Sequence, residues 1–360
     1  MNSASQPPTD EMRKMLETAL AHQNAGRVDV AQQMYEEILA RAPDNGDALH
    51  LLGALKFEAG GFDDGLSLLR QAIAACPERA DYQNTLGVIH KSLGQLDDAK
   101  AALNTAISLV PRFAEAWNNL GAVMEDEERW EDAAEAYETS LMHAPDFVQA
   151  LVNVGRVHLQ RERTKEAEAA YKQALEIDPG NVEALNGFGL VLEKTDRLPD
   201  AVLAFERATQ ANPAFRPAFN NLALLFIRLK RTRDAELTLD AALKHLPSNT
   251  PDDPQTLHAK AAVRQAQGRI DEAIDVAEAA VKMRPDDADG HAALGLFQHH
   301  GGRLEAAERS FRRALSLDPT RPDARFNLAI VLQRQGRTQD AEALLNELLL
   351  HTPDDPEIFR

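Results

Sequence analysis

The chain has 360 residues, with 57 Asp and Glu side chains against 39 Lys and Arg, and its formal charge is −18. This charge argues against nucleic acid or a membrane surface as a partner, because both require clustered basic side chains. A single cysteine, Cys76, excludes an internal disulfide and any multi-cysteine metal site. Neither a signal peptide nor a run of about 18 apolar residues occurs, so we expect a cytoplasmic protein without a membrane span.

The prolines reveal an internal repeat of 34 residues. Seven follow one another at this spacing, and three more resume it after a shift of four residues. In chain order they are Pro43, Pro77, Pro111, Pro145, Pro179, Pro213, Pro247, Pro285, Pro319 and Pro353. Proline ends a helix because its ring blocks the hydrogen-bond ladder, so each one predicts the end of a repeat's last helix.

Two further columns of the repeat hold only small residues. The eighth position is always Gly or Ala, as in Gly121 and Ala223, and so is the twentieth, as in Gly65 and Ala133. Small residues at both positions allow two helices to approach closely. Glycines after the first helix, such as Gly26, are typical of a left-handed cap. Since no segment alternates with the period of a strand, the sequence predicts an all-α protein built from helical hairpins.

In chain order, the repeats predict five segments. We expect residues 1–11 to be a disordered amino-terminal segment and residues 12–249 to hold repeats one to seven. Residues 250–253 are an insertion, and we expect a hinge there because Lys260 and Ala277 also weaken the eighth repeat. Residues 254–355 hold repeats eight to ten, and residues 356–360 form a short tail.

The pattern resembles the tetratricopeptide repeat family, whose unit also has 34 residues. The clearest copy runs from Ala114 to Phe147. It carries Trp117, Leu120, Gly121, Ala133, Tyr137 and Pro145. The resemblance covers about ten repeats and implies a right-handed superhelical solenoid in which the first helix of each hairpin lines a concave groove.

Groove positions implied by the resemblance carry a row of asparagines. Positions five and six of the repeats give Asn84, Asn118, Asn119, Asn153, Asn186, Asn220, Asn221 and Asn327. A carboxamide both donates and accepts hydrogen bonds, so it can bind the main chain of an extended peptide without reading its sequence. The alternative is structural, because an asparagine can also fix the geometry between helices by bonding a neighbouring carbonyl.

The asparagine row resembles that of the O-linked N-acetylglucosamine transferase repeats, for example in the string from Ala116 to Gly121. Leu51, Thr85 and Gly187 are among the residues that interrupt it, and the chain has no segment resembling the transferase's catalytic domain. We expect that replacing Asn119, Asn153 and Asn221 with alanine weakens partner binding and leaves the melting temperature nearly unchanged.

Three cations, Arg156, Lys194 and Arg228, lie at groove positions nine and thirteen of consecutive repeats. They could bind a ligand carboxylate through charge-assisted hydrogen bonds. The alternative is pairing within the chain, with Glu193 or another acid.

No motif predicts catalysis, a cofactor or a metal site. The adjacent His299 and His300 point about 100° apart on a helix and cannot readily bind one ion together. The sequence therefore predicts a non-enzymatic scaffold that binds an extended peptide or a helix of another protein in its groove. The alternative function is a substrate-recruiting module of a glycosyltransferase system.

The last helix is rich in leucine, with Leu344, Leu345, Leu348, Leu349 and Leu350. Arrays of repeats need their ends protected from water, and too few residues follow for a further helix. We expect this end to be covered by self-association, by a partner, or by parts outside this chain.

Overall fold

A computed structural model describes residues 10–244 and 252–351, and all regular secondary structure in those ranges is α-helical. The chain divides into unit 1, residues 1–179, and unit 2, residues 180–360. Unit 1 contains α1 (Asp10–Asn24), α2 (Val28–Arg41), α3 (Gly46–Glu58), α4 (Phe62–Ala75), α5 (Ala80–Ser92), α6 (Leu96–Leu109), α7 (Ala114–Asp126), α8 (Trp130–His143), α9 (Val148–Gln160) and α10 (Thr164–Ile177). Unit 2 contains α11 (Val182–Lys194), α12 (Leu198–Ala211), α13 (Arg216–Arg228), α14 (Thr232–Lys244), α15 (Pro254–Ala266), α16 (Ile270–Met283), α17 (Ala288–His300), α18 (Leu304–Leu317), α19 (Pro322–Arg334) and α20 (Thr338–His351).

Each odd-numbered helix pairs with the even-numbered helix that follows it, which confirms the predicted all-α fold of helical hairpins. The small residues at the eighth and twentieth positions of the repeat allow the two helices of a hairpin to pair. Ala133 is fully buried, and the buried ring of Tyr137 lies directly over Gly121, where an added Cβ would come within 2.7 Å of it. In this hairpin and in others such as those of Gly189 and Gly295, the core is thus a bulky side chain packed over a residue that has almost no side chain.

The hairpins stack in sequence within each unit. In unit 1, α5 contacts α7 and α7 contacts α9, and in unit 2, α11, α13, α15, α17 and α19 contact one another in the same way. Among the described helices, no such close approach joins successive second helices. The first helices therefore lie on the inner, concave side of each unit, and residues on their exposed face look into a groove.

The turn after each first helix requires a left-handed residue. Six of these turns use glycine with φ between 71° and 89°, which confirms the predicted caps. The turns of repeats four to seven instead place Glu128, Glu162, Asp196 and Lys230 at φ between 58° and 60°. A residue with a Cβ atom is strained in this region of φ.

Lys230→Gly is therefore expected to raise the free energy of unfolding by about 1 kcal/mol, because glycine adopts this backbone conformation without the Cβ clash. Urea denaturation of the purified protein measures the change. Lys230→Ala is the matched control, since it removes the long side chain but keeps Cβ, and it should give no gain. Equal stability of the two variants would contradict the prediction.

The structure describes several of the predicted segments only in part. Helix α1 begins at Asp10, two residues before the expected start of the first repeat, and residues 1–9 lie outside the described residues, as do 250–251 of the insertion and the tail 356–360. The hinge at 250–253 remains a prediction.

In α20, Leu348 is buried, and Leu344 and Leu345 are half-buried against the last repeats. The side chains of Leu349 and Leu350 lie outside the described part, and self-association remains a prediction.

Candidate functional site

The predicted asparagines all lie on first helices. In unit 1 they are on α5, α7 and α9, and in unit 2 they are on α11, α13 and α19. Asn84, Asn119, Asn186 and Asn221 are half-buried, whereas Asn118, Asn153 and Asn220 are buried to about 95%. The amides are therefore partly or almost completely buried on the first helices.

Most of these amides are hydrogen-bonded to one another across neighbouring repeats. The Nδ2 atom of Asn119 donates to Oδ1 of Asn84, and Nδ2 of Asn153 donates to Oδ1 of Asn118, each at 2.9 Å. In unit 2, Nδ2 of Asn221 donates to Oδ1 of Asn186, also at 2.9 Å. The sixth position of one repeat thus bonds the fifth position of the repeat before it, 35 residues earlier.

The same spacing joins other polar pairs. A ring nitrogen of His50 lies 2.8 Å from the Thr85 hydroxyl, which is the equivalent pair in the second and third repeats. Asn327 has alanine at the position that its partner would occupy, and it donates to the backbone carbonyl of Asp323 in its own helix. The asparagines fix the contact between helices, and each pair uses only part of its bonding capacity, since a carboxamide has two N–H groups and two lone pairs.

This geometry revises the expected stability of the triple alanine variant. Asn153 is almost completely buried, and its loss would leave the Asn118 carbonyl oxygen buried without that donor. An unsatisfied buried polar group costs about 1–3 kcal/mol. The melting temperature of a variant that includes Asn153→Ala should therefore fall.

The predicted cations Arg156 and Arg228 form ion pairs within the chain. Arg156 forms an ion pair with Glu125, and its Nη2 also donates to Oδ1 of Asn153 at 3.0 Å. Arg228 pairs with Asp196 at 2.9 Å and approaches Glu193 at 3.7 Å. Lys194 lies exposed at the end of α11. The arrangement favours the structural alternative for both arginines.

One arginine motif was not identified from the sequence. Arg79 bridges Asp47 and Asp81 at 2.6 Å each in unit 1. In unit 2, Arg321 bridges Asp289 and Asp323 in the same way. Both arginines are the last residue of a repeat, and both aspartates stand at the second position of adjoining repeats. An arginine at the last position of a repeat with aspartates at the second positions of that repeat and the next could have identified the motif from the sequence.

Unit 2 contains a cavity of about 700 Å³ on its concave side. Three of the predicted asparagines, Asn220, Asn221 and Asn327, line it. Leu190, Leu224 and Leu296 line it as well, each from the ninth position of its repeat. The cavity thus combines amides with apolar side chains, and its volume is typical of a binding site.

Asn220, one of the residues that line the cavity, has an unused hydrogen-bond acceptor. Nδ2 of Asn220 donates to the Thr256 hydroxyl at 3.1 Å, and that hydroxyl donates to Oδ2 of Asp253 at 2.7 Å. Arg216 holds the same carboxylate oxygen at 2.9 Å. This chain fixes the orientation of the Asn220 amide, whose Oδ1 is buried and has no partner among the described residues.

Several of the charged groups in and around the cavity are paired within the chain. Although burial acts to raise it, hydrogen bonds from Arg216 and Thr256 hold the pKa of Asp253 at about 2. Burial lowers the pKa of His258, which lines the cavity, and the nearby Asp289 and Asp287 only partly oppose this. His258 is therefore neutral at pH 7, and the Arg321 charge is shared between two aspartates.

Within residues 10–244 and 252–351 no three His, Cys, Asp or Glu side chains are grouped in a way that could hold a metal ion. None of the helices in these ranges has the length and apolar character needed to cross a membrane.

Comparison with solved structures finds other proteins with this fold. The chain is similar to YrrB, described as a TPR protein with an unusual peptide-binding site, at 25% identity and a TM-score of 0.41, over 53% of this chain and 97% of that one. It is similar to pilF of Pseudomonas aeruginosa at 19% identity and a TM-score of 0.51, over 61% and 97% of the two chains. A tetratricopeptide repeat protein from Parabacteroides merdae matches at 16% identity and a TM-score of 0.52, over 80% and 98%. The last two likenesses show the fold.

Family models match nearly the whole chain. Residues 3–212 match the model described as the C-terminal domain of cilia and flagella-associated protein 70. Models of the tetratricopeptide repeat match residues 186–254, 258–322 and 300–360. No curated protein matches the sequence. With more than half of its length matched by the first model and most of the rest by models of the repeat itself, the chain belongs to the tetratricopeptide repeat family.

Proposed function

We propose that this chain is a non-enzymatic scaffold that binds an extended segment of another protein in the cavity of unit 2. Tetratricopeptide repeat proteins generally mediate protein–protein interactions. The observation that carries the proposal is the lining of the cavity, where Asn220, Asn221 and Asn327 occur together with three leucines. Amides can bind the main chain of a peptide, and leucines can bury its side chains.

The amide pair of α11 and α13 retains bonding capacity for a ligand. Asn221 uses one N–H to bind Asn186, and it keeps a second N–H and its carbonyl oxygen. An extended peptide presents an N–H and a C=O at every residue, and a carboxamide can bond both. Because the pair with Asn186 fixes the orientation of Asn221, less side-chain entropy is lost on binding.

The ion pairs of Arg228 argue against selection of a ligand by its carboxylate. Its charge is already shared between Glu193 and Asp196, so a ligand carboxylate would have to displace them. We therefore assign the affinity to main-chain hydrogen bonds and apolar contacts. In unit 1, the pairs Asn84 with Asn119 and Asn118 with Asn153 form a second amide row, and we propose the same role for it.

Asn221→Ala is the direct test of the amide role. Peptides selected from a random display library on the wild-type protein are expected to bind this variant about fivefold to tenfold more weakly, since one hydrogen bond contributes about 1 kcal/mol. Fluorescence anisotropy with a labelled peptide measures the affinity. The variant should also lose about 1 kcal/mol of stability, because Asn186 loses its donor.

Gln210→Ala is the control, because it removes an exposed carboxamide from α12, the second helix of the same repeat as α11. It should leave the affinity unchanged. If selected peptides bind Asn221→Ala as tightly as the wild-type protein, the amides serve only to join the helices, and the proposed clamp in unit 2 is wrong.

A further inference from the structure

The cavity of unit 2 contains a recess where bulk is missing from the repeat pattern. At position 24 the other nine repeats carry an aromatic ring or a leucine, such as Phe205 and Phe311, but the eighth repeat has Ala277. The ninth repeat has Ala292 and Ala293 at positions five and six, at least one of which is asparagine in repeats three to seven and in the tenth. All three alanines line the cavity.

Apolar side chains line the cavity together with the three alanines. Among them are Leu224, Leu296 and the fully buried Phe311. Binding of an apolar group to such side chains is favourable because it removes apolar surface from water, whereas a charged group would find no partner among them. Two aspartates of the lining, Asp289 and Asp323, are paired with Arg321, which also lines the cavity.

The second observation is the buried carbonyl oxygen of Asn220. This side chain lines the same cavity and is 5% exposed. Its Nδ2 donates a hydrogen bond to the Thr256 hydroxyl, and that hydroxyl donates its own proton to Asp253. Turning the amide over would break the hydrogen bond to Thr256 without giving Oδ1 a donor there, and in the present orientation Oδ1 has no donor among the residues described. Native proteins rarely leave such an acceptor without a partner.

We propose that the recess binds one bulky apolar side chain of an extended partner segment, and that a main-chain N–H of that segment donates to Oδ1 of Asn220. This inference rests on the proposed function and adds which residue of the bound segment is selected. The amides accept any sequence, whereas the recess selects Leu, Ile, Met, Phe or Trp at a single position. The partner is thus an otherwise sequence-tolerant segment with one apolar anchor residue.

The experiment uses the full-length protein and a display library of random peptides of about eight residues, which span about 26 Å when extended. Sequences selected on the wild-type protein are expected to share one apolar residue at an aligned position. Replacing that residue with alanine in a synthetic peptide should weaken binding to the wild-type protein at least about tenfold, which corresponds to about 1.4 kcal/mol. This arm requires no protein variant.

Ala293→Leu fills the recess from the protein side. Ala293 is half-buried on α17, and the variant should bind the same peptide at least about tenfold more weakly. Ala122→Leu is the matched control, since Ala122 is a half-buried alanine on the first helix α7 of unit 1 and is not among the residues that line the cavity. It should leave the affinity unchanged. Melting curves of both variants show that they are folded.

The outcomes separate the inference from the proposed function. If selected peptides depend on Asn221 but share no apolar residue and bind Ala293→Leu normally, the anchor recess is wrong and the clamp stands. If the library yields no peptide above background, the proposed function fails and the inference fails with it. Binding that is lost in Ala122→Leu but kept in Ala293→Leu would place the peptide in unit 1 and overturn the recess.

Discussion

Gly189→Ala is expected to destabilise unit 2 by about 2–3 kcal/mol. A Cβ atom at this position would lie 2.5 Å from Cε1 of Phe205, and Phe205 is completely buried. Since the ring cannot move into solvent, the helices α11 and α12 must separate, and overpacking of this kind costs about 1–3 kcal/mol. Urea denaturation measures the loss, and hydrogen exchange should show it concentrated in α11 and α12.

A second substitution tests this explanation. The next repeat combines Ala223 with Leu239 at the same two positions, and both are buried in one core cluster. Adding Phe205→Leu to Gly189→Ala should therefore restore part of the lost stability, with a favourable coupling of about 1 kcal/mol in a double-mutant cycle. Strictly additive losses would show that the contact between these two residues is not the cause.

Mild acid is expected to lower the melting temperature through buried histidines, of which His158 is the clearest case. It is 7% exposed, and its Nδ1 has no hydrogen-bond partner among the described residues. Burial lowers the pKa of His158. The charged groups that surround it are Glu138, Glu166, Arg163 and Arg161. Glu138 faces Nε2 at 3.7 Å, and its charge only partly offsets the effect of burial.

The direction of the pH dependence follows from this shift. Because the folded-state pKa lies below the value of about 6.5 for histidine in the unfolded chain, the unfolded chain binds the proton more tightly. The stability contributed by neutral His158 is complete above that pH and is lost as the pH falls through the folded-state pKa. Most carboxylates titrate near pH 4, so a decrease that begins above about pH 6 reports on histidines.

His158→Leu is expected to reduce this decrease and to raise the melting temperature at low pH, since leucine occupies the equivalent position in α11 as Leu192. Melting temperatures across the pH range from about 8 to about 5 measure the slope. Met124→Leu is the control, because it changes packing at the same position of the preceding repeat without a titrating group, and its slope should match the wild-type protein. An unchanged slope in His158→Leu would assign the acid sensitivity to other groups.

The site was predictable only in part. The asparagine columns identified the positions on the first helices whose amides interact, and the spacing of 35 residues between Asn118 and Asn153 was visible in the sequence. Their mutual hydrogen bonds were not inferred, because position numbers alone do not show how far one helix advances against the next. The pairing of Arg228 was left open for the same reason. The peptide role of these residues and the likeness to the transferase repeats remain predictions.

The sequence by itself determined the repeat, the all-α fold and the turns. These depend on local properties, such as a proline that stops a helix, a glycine that permits positive φ, and a small residue that admits a neighbouring ring. Only the tertiary structure decided which polar groups are already bonded and where space remains. The cavity of unit 2 and the unpaired oxygen of Asn220 arise from side chains on several consecutive repeats, and their combined packing has no counterpart in any one stretch of sequence.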